Sequence, residues 1–192
     1  MPPLVLGLAG SPRRRGNTAM LLERALMGAA EAGARVARVE LCRLRIAPCV
    51  ACDGCFRTGV CVVPDDFQAV LPQLLEADAV ILASPLYFLG VTAWAKAFID
   101  RCQCLWVRRY ILHQPLPPTT DGRPRRAIFL CTAGTPNAPF SGAVATVKAW
   151  LRTLEAEYVG DVLRQGIDAA GAIAQDAEAL EEVYRLGKAV VG

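Results

Sequence analysis

Little in this sequence invites a membrane, a nucleic acid or acid–base catalysis. No apolar run approaches the length of a membrane span, because Gly, Pro or charge interrupts each of the longest. No membrane partner is therefore expected. Charge is scarce too: Asp, Glu, Lys and Arg make up 20% of the 192 residues and leave a net charge of only +3. That excess is too mild for a nucleic-acid partner. The arginines also fall in short clusters (Arg13, Arg14, Arg15; Arg108, Arg109; Arg123, Arg125, Arg126) instead of one helical stripe. Histidine occurs once, as His113, and no acid–base pair stands out. The stretch "MPPLVLGLAGSPRRRG" carries its arginines after its apolar residues, the wrong order for a secretion signal, so a cytoplasmic protein is expected. With no internal repeat and no low-complexity linker, residues 1–192 read as a single domain.

What is present is an alternation of two periodicities. "LVLGLAG" (Leu4 to Gly10) is a short apolar run of the kind buried on both faces of a parallel sheet. "NTAMLLERALMGAAEAG" follows at helical spacing, with Gly33 as its stop. "RVARVEL" alternates as a second strand. "DDFQAVLPQLLEAD" reads as a helix capped by Asp65 or Asp66, although Pro72 requires a kink or a later start. Strand "AVILASP", helix "TAWAKAFIDRCQ", strand "RAIFLCTAG", a helix over 141–157, a strand over 158–166 and helix "DAEALEEVYRLGKAVV" complete the series. Five such alternations predict an α/β fold, a parallel sheet covered on both faces with its ligand loops along one edge. One excursion, at about 105–125, breaks the rhythm. Its apolar content favours a subunit contact.

Three loops are predicted to meet at that edge. "GSPRRRGNT" offers the hydroxyls of Ser11 and Thr18, the Asn17 amide and backbone N–H groups at a helix N-terminus, a site for a phosphate monoester. It lacks the lysine of a nucleotide-binding P-loop and is not a dinucleotide G-x-G-x-x-G. A solvated basic turn with ordinary capping is the plainer alternative. "SPLYFLGV" presents an aromatic pair suited to a flat heteroaromatic ring, or one that simply covers the sheet end. "TAGTPNA" is small enough to let a ligand approach the backbone.

The eight cysteines include a compact run, Cys49-x2-Cys52-x2-Cys55-x5-Cys61, inside a loop at about 46–64. In a reducing compartment, clustered cysteines point to metal or redox chemistry before disulfides. A C-x2-C-x2-C run can wrap three corners of a [4Fe–4S] cube, and Gly59 eases the turn that would let Cys61 close on it. Zinc, a dithiol pair, or cysteines without metal remain open. Cys42 and Cys131 read as small buried residues. Cys102 and Cys104 read as packing too, either being able to replace Cys61 as a ligand. Asp100 and Arg101 read as positioning a helix end.

"GSPRRRGNT", "SPLYFLGVTAWAKAFIDR" and the cysteine run together resemble the iron–sulfur flavoprotein family, within the wider group of flavodoxin-like NAD(P)H-dependent FMN reductases. The resemblance implies a flavodoxin-like three-layer αβα sandwich with strand order 2-1-3-4-5. By that match Ser11, Arg13, Asn17 and Thr18 hold the FMN phosphate, and Pro85, Leu86, Tyr87 and Phe88 line the isoalloxazine. Thr132, Ala133 and Gly134 border the flavin, and Cys49, Cys52, Cys55 and Cys61 hold a [4Fe–4S] cluster. It also implies a homo-oligomer, a dimer or tetramer. The expected activity is electron transfer between a one-electron donor such as ferredoxin and a small-molecule acceptor. The alternatives are a cluster-free reductase using NAD(P)H to reduce FMN and a quinone, and a non-catalytic redox-sensing module.

Overall fold

The computed structural model describes residues 1–192. Five strands, β1 (Leu4–Ala9), β2 (Arg35–Glu40), β3 (Ala79–Pro85), β4 (Arg125–Thr132) and β5 (Ala156–Arg164), form one sheet in the order β2-β1-β3-β4-β5. Every neighbouring pair is parallel. The flavodoxin-like order that the family resemblance implies is therefore the order found. Strand β1 is buried along its whole length, as its continuous apolar run predicts, and β2 lies at the sheet edge.

Side-chain alternation divides the core. Leu4, Leu6 and Leu8 of β1, with Val80 and Leu82 of β3, face α2 (Phe67–Glu76), α3 (Ala93–Arg101) and α5 (Ser141–Thr153). Val5, Ala9, Ile81 and Ala83 face α1 (Asn17–Glu31) and α6 (Ala177–Ala189). Helices α1 and α6 cross with backbones nearly touching. A Cβ at Gly187 would overlap the Ala25 carbonyl, and one at Gly28 would overlap that of Tyr184.

Two elements differ from the sequence expectation. Helix α2 starts at Phe67 and runs through Pro72, so the missing proline N–H leaves the Gln68 carbonyl without its helical partner. The residue at the helix start, Asp66, makes no side-chain cap. Asp65 instead accepts from the N–H of Phe67 at 3.1 Å, and Asp66 accepts from that of Arg45 at 2.7 Å. The expected excursion at 105–125 is a correction: its first part is helical. The short α4 (Gln103–Trp106) and a π-helical turn (Val107–Ile111) continue α3, and irregular chain begins only after them. The apolar residues of "CLWVRRYI" therefore lie on a helix.

Candidate functional site

Strand β1 ends against β3, where Gly10 N–H donates to the Ala83 carbonyl at 2.7 Å, and the chain then loops to α1. Gly16 occupies the start of that helix in an extended conformation, and no side chain caps the first turn. Its N–H groups thus remain free to meet an anion. A Cβ on Gly16 would lie 2.9 Å from that of Arg13, so only glycine leaves the loop its shape. Ser11 Oγ accepts from the N–H of Arg13 at 3.1 Å, which turns the loop back on itself.

A hollow of about 90 Å³ opens there. It brings together Ser11, Arg13, Asn17 and Thr18 from the first loop, Pro85, Leu86 and Tyr87 from the second, and Thr132 and Gly134 from the third. The Asn17 amide is already engaged: Nδ2 donates to the carbonyls of Ile167 (3.2 Å) and Ala169 (3.0 Å), and Oδ1 accepts from Ile173 N–H (3.2 Å). Its side chain braces the loop after β5 as a wall of the hollow. Ile167 and Asp168 on that wall carry no signal in the sequence. Arg13 Nη1 donates to the Asp168 carbonyl at 3.3 Å. A Cβ on Gly134 would lie 2.8 Å from Asp168 Oδ1, so the glycine admits the carboxylate.

The aromatic pair belongs to a tight turn. Tyr87 and Gly90 exchange both N–H···O bonds at 2.9 Å. Between them Phe88 (φ +48°) and Leu89 (φ +63°) are both left-handed, positions at which a two-residue hairpin normally carries Asn-Gly. Bulky residues there are strained. Phe88 is fully exposed and stands outside the small hollow, beside a shelf of about 480 Å³ that it shares with Leu86, Ala133 and Gly134. Thr92 ties this turn to the first loop: its Oγ1 donates to the Gly10 carbonyl at 2.6 Å and accepts from Ala95 N–H at the start of α3.

A separate cavity of about 340 Å³ is lined by Cys49, Cys52, Cys55 and Cys61. Cys104 forms part of its wall, whereas Cys102 does not. Turns with Ala51 and Asp53 at positive φ separate the first three cysteines, and Gly59 (φ +68°) lets the loop approach the π-helical turn, where a Cβ would lie 2.8 Å from that of Arg108. Burial pushes the Cys55 thiol up, and the neighbouring cysteines add to the effect. Burial, then the charges of Cys61 and Cys55, pushes Cys104 up to about 12. The thiols line the wall without converging: no three Cys, His, Asp or Glu side chains are gathered around a single point suited to one metal ion.

Arg101 is the residue that sequence reasoning underrated. Its side chain is 1% exposed and donates to Cys61 Sγ (3.3 Å), the Ala47 and Val63 carbonyls (3.0 and 3.2 Å) and Asp65 Oδ2 (2.5 Å). The signal existed. Ala95, Phe98 and Arg101 recur every three residues, which puts the arginine on the buried face of α3.

Comparison with known proteins bears on the family and the fold. Residues 3–163 match the family of NADPH-dependent FMN reductases. An iron–sulfur flavoprotein of Methanocaldococcus jannaschii is 41% identical over 101 residues, 53% of this chain and 52% of its own. The chain's match thus spans about half the length of that relative. An iron–sulfur flavoprotein of Methanosarcina thermophila is 27% identical over 157 residues, covering 82% and 77% of the two chains. Among solved structures, the NAD(P)H:quinone oxidoreductase of Methanothermobacter marburgensis superposes with a TM-score of 0.71 at 19% identity, over 98% of this chain and 96% of that one. At that identity the likeness concerns the fold.

Proposed function

The chain belongs to the NADPH-dependent FMN reductase family, and from that premise we propose that it is a flavin-dependent oxidoreductase with FMN at the sheet edge and a [4Fe–4S] cluster in the cysteine cavity. Bound together, the two groups would link a one-electron donor of the ferredoxin kind to a small-molecule acceptor, since a flavin exchanges one or two electrons and a cluster one.

The residues suit both groups. The uncapped first turn of α1, with the Ser11 and Thr18 hydroxyls beside it, suits a phosphate. Arg13 is exposed beside it, and a move onto the phosphate would exchange its bond to the Asp168 carbonyl. Asn17 contributes its backbone N–H and the brace described above. The Asp168 carboxylate would repel phosphate but accepts readily from hydroxyls, which assigns it to the polyol part of the ligand. Pro85, Leu86 and Tyr87 lie beside Thr132 and Gly134 at the end of the β3–β4 ladder, where Leu86 N–H donates to the Thr132 carbonyl at 2.8 Å, and this edge suits the ring; Phe88 and Ala133 border the shelf beyond. For the cluster, the supporting observation is that four thiols separated in sequence line one largely apolar cavity. Sulfurs spread around a wall suit a multi-iron cube, whose corners are separate, better than a single ion. Helix α3 begins at the flavin loops and ends at Arg101 in the cysteine cavity. Its nine residues give a span of about 13 Å at 1.5 Å per residue.

The two exposed thiols, Cys49 and Cys52, favour one second reading, a cluster-free reductase taking hydride from NAD(P)H and passing it to a quinone. One assay separates them: the visible spectrum of anaerobically purified protein, with iron, sulfide and FMN measured on the same sample. About four irons and four sulfides per FMN support the cluster. Flavin alone after anaerobic reconstitution, bleached rapidly by NADPH, establishes the second reading. Cys52→Ala should abolish iron binding and leave FMN bound, and unchanged iron in that variant would end the cluster assignment.

A further inference from the structure

We propose that Arg101 tunes the reduction potential of the cluster through its N–H···S bond to Cys61, an inference that rests on the cluster reading above. The guanidinium joins both ends of the cysteine loop. Nη1 donates to Ala47 O and Asp65, Nη2 to Val63 O, and the guanidinium carbon lies 4.7 Å from the Phe67 ring centre. A carboxylate and two carbonyls already satisfy the charge. Nε is the donor left over, and it points at Cys61 Sγ from 3.3 Å. Gln68 holds the same cysteine from the other side, Nε2 donating to the Cys61 carbonyl at 2.7 Å. The sulfur is thus presented at a fixed place to a buried cation.

A donor aimed at a ligating sulfur withdraws electron density from it, and a nearby positive charge favours the more negative, reduced state. Both effects raise the potential, and burial of the guanidinium strengthens them. Arginine suits the task because its planar fork reaches four acceptors at once, whereas a lysine ammonium is a point charge on a flexible stem. Arg101 is therefore a positioning residue: it acts on the cluster through Cys61.

The test is a redox titration followed by electron paramagnetic resonance on anaerobically reconstituted protein, with iron and FMN counted for each variant. Arg101→Lys keeps a cation for Asp65 and loses the fixed Nε–H. The double variant Arg101→Met/Asp65→Leu removes both members of the buried pair, a replacement that folds commonly tolerate. Both should retain iron and FMN, with the one-electron equilibrium displaced at least tenfold toward the oxidised form, 59 mV more negative. Wild-type potentials in iron-replete variants would overturn the tuning alone. Iron lost from both variants with FMN retained would also overturn it, leaving Arg101 a clamp for the loop. A wild-type chain that takes up no iron defeats the cluster reading and this inference together.

Discussion

Asp65 is the residue through which acid should weaken the buried ion pair with Arg101. Burial raises its carboxyl, but the bonds from Arg101 and from the N–H groups of Ala47 and Phe67 outweigh that and hold it below the ordinary 3.8. A carboxylate lowered in the folded state stabilises the fold above its unfolded value and stops doing so as pH falls through its folded one. The contribution is therefore complete at neutral pH and fades from about pH 4 downward. Asp65→Asn leaves a buried guanidinium without its counter-ion and should cost about 3–5 kcal/mol at pH 7, with a flatter dependence below pH 4. Denaturant melts of both proteins across that range check it, and equal stability at pH 7 would show the pair to be weak. Gly16→Val tests the other site. The added side chain meets Arg13, so FMN affinity should drop at least tenfold, about 1.4 kcal/mol, with little change in melting temperature. Flavin titration by fluorescence measures it.

The turn Tyr87–Gly90 is the element with most strain in it. Two bulky residues at positive φ cost about 1–3 kcal/mol each. Replacing Phe88-Leu89 by Asn-Gly should raise stability by about 1 kcal/mol or more, visible as a higher melting temperature. If the strained turn exists to hold the ring edge, the same variant binds FMN more weakly; an unchanged melt would deny the strain. Elements differed in how far the sequence revealed them. Strands β1, β3 and β4 were legible because a run such as "AVILASP" is apolar without pause and ends at a glycine or proline. The helix over 103–111 was not, because Arg108 and Arg109 interrupt its apolar spacing and the prolines beyond it suggested irregular chain. The phosphate loop was legible from its hydroxyls and its place before a helix. Its far wall was not, since Ile167 and Asp168 reach it through a brace spanning 150 to 152 residues.

Across the whole molecule, some of the large apolar side chains left in solvent lie on α3 and its helical continuation. Trp94, Trp106, Tyr110 and Ile111 are each about 40% exposed, and Trp106 and Tyr110 stack with ring centres 5.7 Å apart. A patch of this kind would suit a contact in the homo-oligomer that the family resemblance implies. Trp106→Glu combined with Ile111→Glu should yield a smaller species in light scattering with FMN still bound, whereas an oligomer of unchanged mass would place the contact elsewhere. Asn17 has a consequence for the life of the molecule as well. A ribosome delivers this asparagine early and its partners Ile167, Ala169 and Ile173 150 to 156 residues later. At about 5–20 residues per second, the nascent chain waits many seconds with its phosphate loop unbraced. Cofactor loading therefore belongs to the last moments of synthesis or to the time after release.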